Sequence, residues 1–151
     1  MKRTLFLILP DIRSCHNVGA MFRTADACGF AKIYLVGYTP CPPKPQIDKV
    51  SLGAEKWMAW ENRQDLPCLL RELRQAGVRV IALEKTAKSV DIKKVRKTKK
   101  PLALLVGNEV DGISESIMKL CDQVVHIPMQ GRKESLNVSV AAGIAMYMLS
   151  Q

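Results

Sequence analysis

Three groups of polar residues, far apart along the chain, carry the side chains that could do chemistry. Asn17 and Arg23 lie on one helical pattern, Glu109 stands in the run Gly107-Asn-Glu-Val-Asp-Gly112, and Ser135 and Asn137 belong to the stretch from Ile127 to Gly143. Ser135 and Asn137 fall where a polar loop turns into a helix. Their side chains and the first free backbone N–H groups can therefore face one ligand. Arg23 is a permanent cation whose planar fork suits a phosphate or a carboxylate. Taken singly, each has an ordinary explanation: Asn17 as a helix N-cap, Arg23 as a solvated helical cation, Glu109 as a loop carboxylate, Asp111-Gly112 as a turn. They become a site only if the fold brings them together.

The elements that must do so can be read from hydrophobic spacing. Thr4 to Leu9, Lys32 to Val36, Val78 to Leu83, Leu102 to Val106 and Val124 to Met129 read as strands, apolar along their length. A helical pattern begins at Asn17, with Val18, Met21, Phe22 and Ala25 on one face, and Gly29 closes it. Arg23 falls about 140 degrees from that face, and its neighbours Gly19, Ala20 and Ala27 leave room around the guanidinium. Further helices are expected over Leu66 to Ala76, from the N-cap Ser114 to Leu120, and from Leu136 to Leu149. Thr39 to Gln46 holds four prolines and reads as a stiff exposed loop, after which Trp57 and Trp60 anchor a short element. Apolar strands alternating with helices imply an α/β fold, a mostly parallel sheet covered by helices on both faces. No repeat or linker divides it, so residues 1–151 are read as a single domain. Ligands of an open parallel sheet bind beyond the carboxyl ends of the strands. The loops Asp11 to Asn17, Gly107 to Ser114 and Gln130 to Asn137 are therefore expected to share one cleft. No charged residue follows Asn137, so the last helix must be buried against the core, another subunit or both. It is too short to span a bilayer.

Composition narrows the partner. The formal net charge is +9, and the segment from Lys85 to Lys100 carries eight basic residues against one acidic, Asp91. So local a surplus suits phosphates, although a charge run can also be no more than a solvated face. Aromatic residues make up 5% of the chain, too few for a platform that stacks single-stranded bases. The cysteines at 15, 28, 41, 68 and 121 form no C-x-x-C pair and no metal-like spacing with the histidines. They read as reduced thiols in a cytoplasm, with Cys15 and Cys28 as packing residues, and no metal is expected. The apolar run near the start is too short for a secretory leader and reads as the first strand. No membrane segment is expected.

Three runs, taken together, carry a resemblance. Asn17-Val-Gly-Ala-Met-Phe-Arg23-Thr-Ala, Gly107-Asn-Glu109-Val-Asp-Gly112-Ile and Ile127-Pro-Met-x-Gly-x-x-x-Ser135-Leu-Asn137-Val-Ser-Val-Ala resemble the three motifs of the SPOUT RNA methyltransferases. Within them they are most similar to the SpoU/TrmH branch, the ribose 2′-O-methyltransferases. The resemblance extends from Asp11 to the C-terminus. It implies S-adenosylmethionine as methyl donor, bound in a C-terminal trefoil knot, and an obligate homodimer whose active sites use both subunits. The positions matching the family's cofactor pocket, where main-chain groups hold the adenine, are Leu83, Gly107, Ile127, Met129 and Leu136. The matching catalytic positions are Asn17, Arg23, Glu109, Ser135 and Asn137. Arg23 would activate the ribose hydroxyl together with an RNA phosphate, and Asn17 would position Arg23 or the RNA. Glu109 would pair with an arginine or offset the positive sulfonium, while Ser135 and Asn137 would fix the cofactor and the loop. The G-x-G-x-x-G loop of the commoner methyltransferases is absent. Transfer RNA is favoured over ribosomal RNA as substrate, and ribose over base by the Asn17/Arg23 pair and the Ser135-Leu-Asn137 run. Two rival readings stand beside this one: a catalytically silent RNA-binding module of the same fold, and a flavodoxin-like nucleotide or signalling domain.

Overall fold

The computed structural model of the chain describes residues 2–151. Thirteen regular elements follow one another: β1 (Leu5–Pro10), α1 (Cys15–Ala27), β2 (Lys32–Val36), α2 (Pro45–Ser51), α3 (Ala54–Trp57), β3 (Ala59–Arg63), α4 (Leu66–Gln75), β4 (Arg79–Leu83), β5 (Val90–Asp91), β6 (Leu102–Leu105), α5 (Glu115–Met118), β7 (Gln123–His126) and α6 (Val138–Ser150), with a 3₁₀ turn at Ile92–Lys94. The strands form one seven-stranded sheet in the order β3-β2-β1-β6-β4-β7-β5. Every neighbouring pair is parallel.

The central strands are apolar throughout because both of their faces are covered. In β1, Leu5, Leu7 and Leu9 join a core with α1, α2, α3 and α6, including Phe22, Ile47 and Met146. The alternate residues Phe6 and Ile8 face the second core, built with Leu69, Leu70 and Leu73 of α4 and with Ile117 and Met118 of α5. On α1 the stripe Val18, Met21, Phe22 and Ala25 is wholly buried, each of the three larger side chains contributing about 1.5–3 kcal/mol.

Three expectations are corrected. The sheet has two more strands than the five read from the sequence. β3, Ala-Trp-Glu-Asn-Arg, is a half-exposed edge strand, and β5 has only two residues, so neither shows an apolar run. The Pro-rich segment is not wholly exposed: Thr39 is buried, its hydroxyl 2.7 Å from the Leu9 carbonyl and accepting from the Ile12 N–H at 3.0 Å. The last strand stops at His126 instead of Met129, since Pro128 has no N–H for a ladder.

Candidate active site

The loop after β6 folds back on itself. The Asn108 side chain accepts from the Val110 N–H at 3.0 Å and the Asp111 N–H at 2.6 Å, and Gly112 takes a φ of +64°. A Cβ on Gly107 would stand 2.7 Å from the Gly112 carbonyl carbon, and one on Gly112 would stand 2.5 Å from Glu84 Oε2. Only glycine fits at both places. Glu84, the first residue after β4, pins this loop by accepting from the Ile113 N–H at 3.1 Å.

Glu109 leaves that loop and ties it to α1. Its carboxylate accepts from the backbone N–H of Arg13 at 2.9 Å, from that of Ser14 at 3.0 Å, and from the Asn17 side-chain amide at 3.1 Å. An anion over free N–H groups at a helix start is favourably placed. Partial burial pushes its carboxyl upward, but the N–H groups of Arg13, Glu109 itself and Ser14, with the Asn17 amide, draw it down, and it ends below the ordinary value. Among the described residues no guanidinium lies within ion-pair distance of Glu109. Asn17 is not the N-cap that its position suggests. Ser14 caps the helix by accepting from the Asn17 N–H at 3.1 Å, and Asn17 is buried one turn in.

The third segment, Ile127 to Asn137, runs from β7 to α6 without regular structure. The last helix starts at Val138, two residues later than the Leu136 read from the sequence, and Asn137 caps it, its side-chain oxygen accepting from the Ser139 N–H at 2.9 Å. Between this segment, the loop after β6 and the residues after β4 lies a cleft of about 890 Å³. Leu83, Gly107, Ile127, Met129 and Leu136 all line it, as do Glu109, Ser135 and Asn137. The loop Asp11 to Asn17 does not reach its wall and touches it only through Glu109.

Arg23 is the outlier. It projects from the exposed side of α1, makes no hydrogen bond or ion pair among the described residues, and does not line the cleft of its own chain. The smallness of Gly19 serves another purpose than making room for it. A Cβ there would meet the Ile47 carbonyl oxygen at 2.6 Å, so Gly19 lets α2 pack closely on α1. Thr24, not its neighbour Arg23, is what faces Gly143 of α6.

The sequence reading missed Thr86 in the cleft and two further polar groups there. Glu84 is one; its signal was a carboxylate directly after a buried parallel strand. His126 is the other, with Nδ1 2.8 Å from Ser89 Oγ. Among the described residues no cluster of His, Cys, Asp and Glu is arranged to hold a metal ion, and no helix is long and apolar enough to cross a membrane.

Against known proteins, the SpoU rRNA Methylase family matches over residues 4–147. A tRNA (guanosine(18)-2′-O)-methyltransferase of Aquifex aeolicus is 35% identical over 97% of this chain and 68% of its own length. The crystal structure of an AdoMet-bound rRNA methyltransferase from Sinorhizobium meliloti superposes with a TM-score of 0.91 at 31% identity, over 99% of this chain and 56% of that one. A structure described as giving insight into 2-OH methylation of C/U34 on tRNA superposes with a TM-score of 0.85 at 26% identity, over 97% of this chain and 94% of that one. The chain thus spans little more than half of the Sinorhizobium protein.

Proposed function

Since the chain belongs to the SpoU rRNA methylase family, we propose that it methylates a ribose 2′-hydroxyl in RNA, with S-adenosylmethionine as donor. The observation that carries this is the cleft, where three segments far apart in sequence meet at the carboxyl ends of β4, β6 and β7. The residues present fit the cofactor. The volume is ample for a molecule of that size, Leu83, Ile127, Met129 and Leu136 offer apolar walls, and the Gly107/Gly112 turn leaves backbone where a Cβ would intrude. When bound there, S-adenosylmethionine supplies an electrophilic methyl group.

The chain's own residues then have to deliver an aligned and activated hydroxyl. A 2′-hydroxyl is a poor nucleophile near neutral pH and must lose its proton as it attacks. Arg23 is a poor base, since a guanidinium keeps its proton in proteins. Paired with an RNA phosphate, it orients the ribose and stabilises the developing alkoxide, while the hydroxyl proton leaves by way of that phosphate to solvent water. Glu109 holds the start of the helix that carries Arg23, through Asn17 and two backbone N–H groups. Ser135 and Asn137 set the far wall.

Arg23 lies off its own cleft, and α6 leaves Val140, Ile144 and Tyr147 exposed along one stripe. Both features support a homodimer in which Arg23 of one protomer serves the cleft of its partner. The insertion of β7 between β4 and β5, with α6 then returning to α1, supports the trefoil threading. Residues 1–151 would act as one such domain, and five unpaired cysteines suit the cytoplasm. Transfer RNA is the favoured substrate, supported by the described activity of the Aquifex relative and by the tRNA-directed structure matched along 94% of its length.

Tritiated methyl incorporation into purified tRNA and rRNA fractions tests the reading. The wild-type chain should label tRNA. Arg23→Ala should lose at least about a hundredfold in rate while binding S-adenosylmethionine as before. A variant that turned over at the wild-type rate would remove Arg23 from the mechanism, and an unlabelled pool with intact cofactor binding would favour a silent RNA-binding module.

A further inference from the structure

All eight cations between Lys85 and Lys100 are exposed, and none pairs with a carboxylate among the described residues. The single acid among them is otherwise engaged, Asp91 accepting from the Lys93 N–H at 2.9 Å. The segment is anchored and not a loose solvated arm. Ile92 is buried in the main core, Val95 packs against it, and Arg79 donates to the Arg96 carbonyl at 3.2 Å. Its two ends sit at two openings. Lys85 lines the cleft, and Lys100 lines a second cavity of about 530 Å³ at the amino end of β4, together with Arg74 and Arg79. The carboxylate at that cavity, Asp122, is already held by Arg74 at 3.2 Å and by the Val80 N–H at 2.8 Å. Arg3, with a buried Nη1 that has no hydrogen-bond partner among the described residues, is near enough to Arg79 for the like charges to repel. Apart from Arg74, which Asp122 offsets, this positive charge is left without a carboxylate partner among the described residues.

We propose that this edge is a track for RNA backbone, leading phosphates from the cleft along β5 and the Ile92–Lys94 turn to the Arg74/Arg79/Lys100 cavity. The proposal rests on the reading of the chain as an RNA methyltransferase and adds which surface holds the RNA. The five residues of β4 separate the two openings by about 16 Å. A stacked strand carries one charge per about 3.4 Å, so the track spans roughly four or five phosphates. With lysines on offer and no aromatic residue in the run, it grips without reading bases.

The test replaces Lys93, Lys94, Lys97 and Lys99 with Gln. A control removes the same charge from exposed positions elsewhere: Lys49, Lys56, Arg71 and Lys119, also to Gln. Affinity for tRNA is measured against salt concentration, with S-adenosylmethionine binding and methyl transfer alongside. The track variant should bind at least about tenfold more weakly, and the slope of log affinity against log salt should shrink by about three units. Its cofactor binding and its rate at saturating RNA should hold while KM rises, and the control slope should change by less than about one unit. If wild type binds and methylates RNA but the track variant keeps the wild-type slope, or the control falls as far, the track is overturned and the methyltransferase reading survives. If wild type neither binds nor methylates RNA, both fall.

Discussion

Glu109 joins two loops that the sequence keeps 92 residues apart, and it does so through backbone N–H groups and the Asn17 amide. The physical requirement is an anion at the start of α1. Glu109→Gln keeps the shape but loses the charge and turns a donor toward donors. It should lower stability by about 1 kcal/mol or less, since the group is solvent-exposed. The sign of the pH dependence follows from a folded-state pKa below the ordinary one. The contribution is fully present above the unfolded carboxylate value of about 4.3 and is lost as pH falls through the lowered folded value. Denaturant midpoints of wild type and Glu109→Gln should thus differ at pH 7 and converge in strong acid. A gap that persists unchanged at pH 2 would assign the effect to packing. The sequence marks Glu109 as a motif residue but not what it touches, because its partners depend on where a distant helix begins.

Among the elements, the turn from Gly107 to Gly112 sets the cleft wall, and its tightness follows from two glycines with no room for a Cβ. Gly107→Ala should therefore open the turn and weaken S-adenosylmethionine binding by about tenfold or more, at a stability cost of about 1–3 kcal/mol. Gly131 has open space around it, so Gly131→Ala should leave cofactor binding as it is. Calorimetric titration of the two variants checks the contrast, and equal losses would show that loop flexibility, not close approach, is what matters. The same scale explains which strands are legible. Those buried on both faces announce themselves as unbroken apolar runs, whereas the half-exposed β3 and the two-residue β5 are strands only because a neighbour pairs with them.

For the whole molecule, α6 is the deciding surface. Ala142, Ala145, Met146 and Leu149 face the core, leaving Val140 50%, Ile144 37% and Tyr147 62% exposed. An exposed apolar stripe of that kind suits a two-fold contact, in which the same patch serves both partners. In the proposed homodimer, replacing Ile144 and Tyr147 with Glu should leave a monomer in sedimentation and abolish methyl transfer with the sheet intact. Mixing Arg23→Ala protomers with Gly107→Ala protomers should restore activity, because one of the two clefts in a mixed dimer then has both a sound wall and a partner arginine. Failure to complement would overturn the sharing of Arg23 between protomers.

The sequence by itself determined the parallel α/β layering, since burial on both faces forces apolar strands. It also determined the family, through three motifs whose residue types stand in order. It could not determine which residues meet. The bond from Asn17 to Glu109, the crowding of Gly19 against Ile47 and the turning of Arg23 away from its own cleft arise from contacts between segments with no common local pattern. Spacing encodes a residue's face on its own element. Only the packing of elements against one another decides what that face will find.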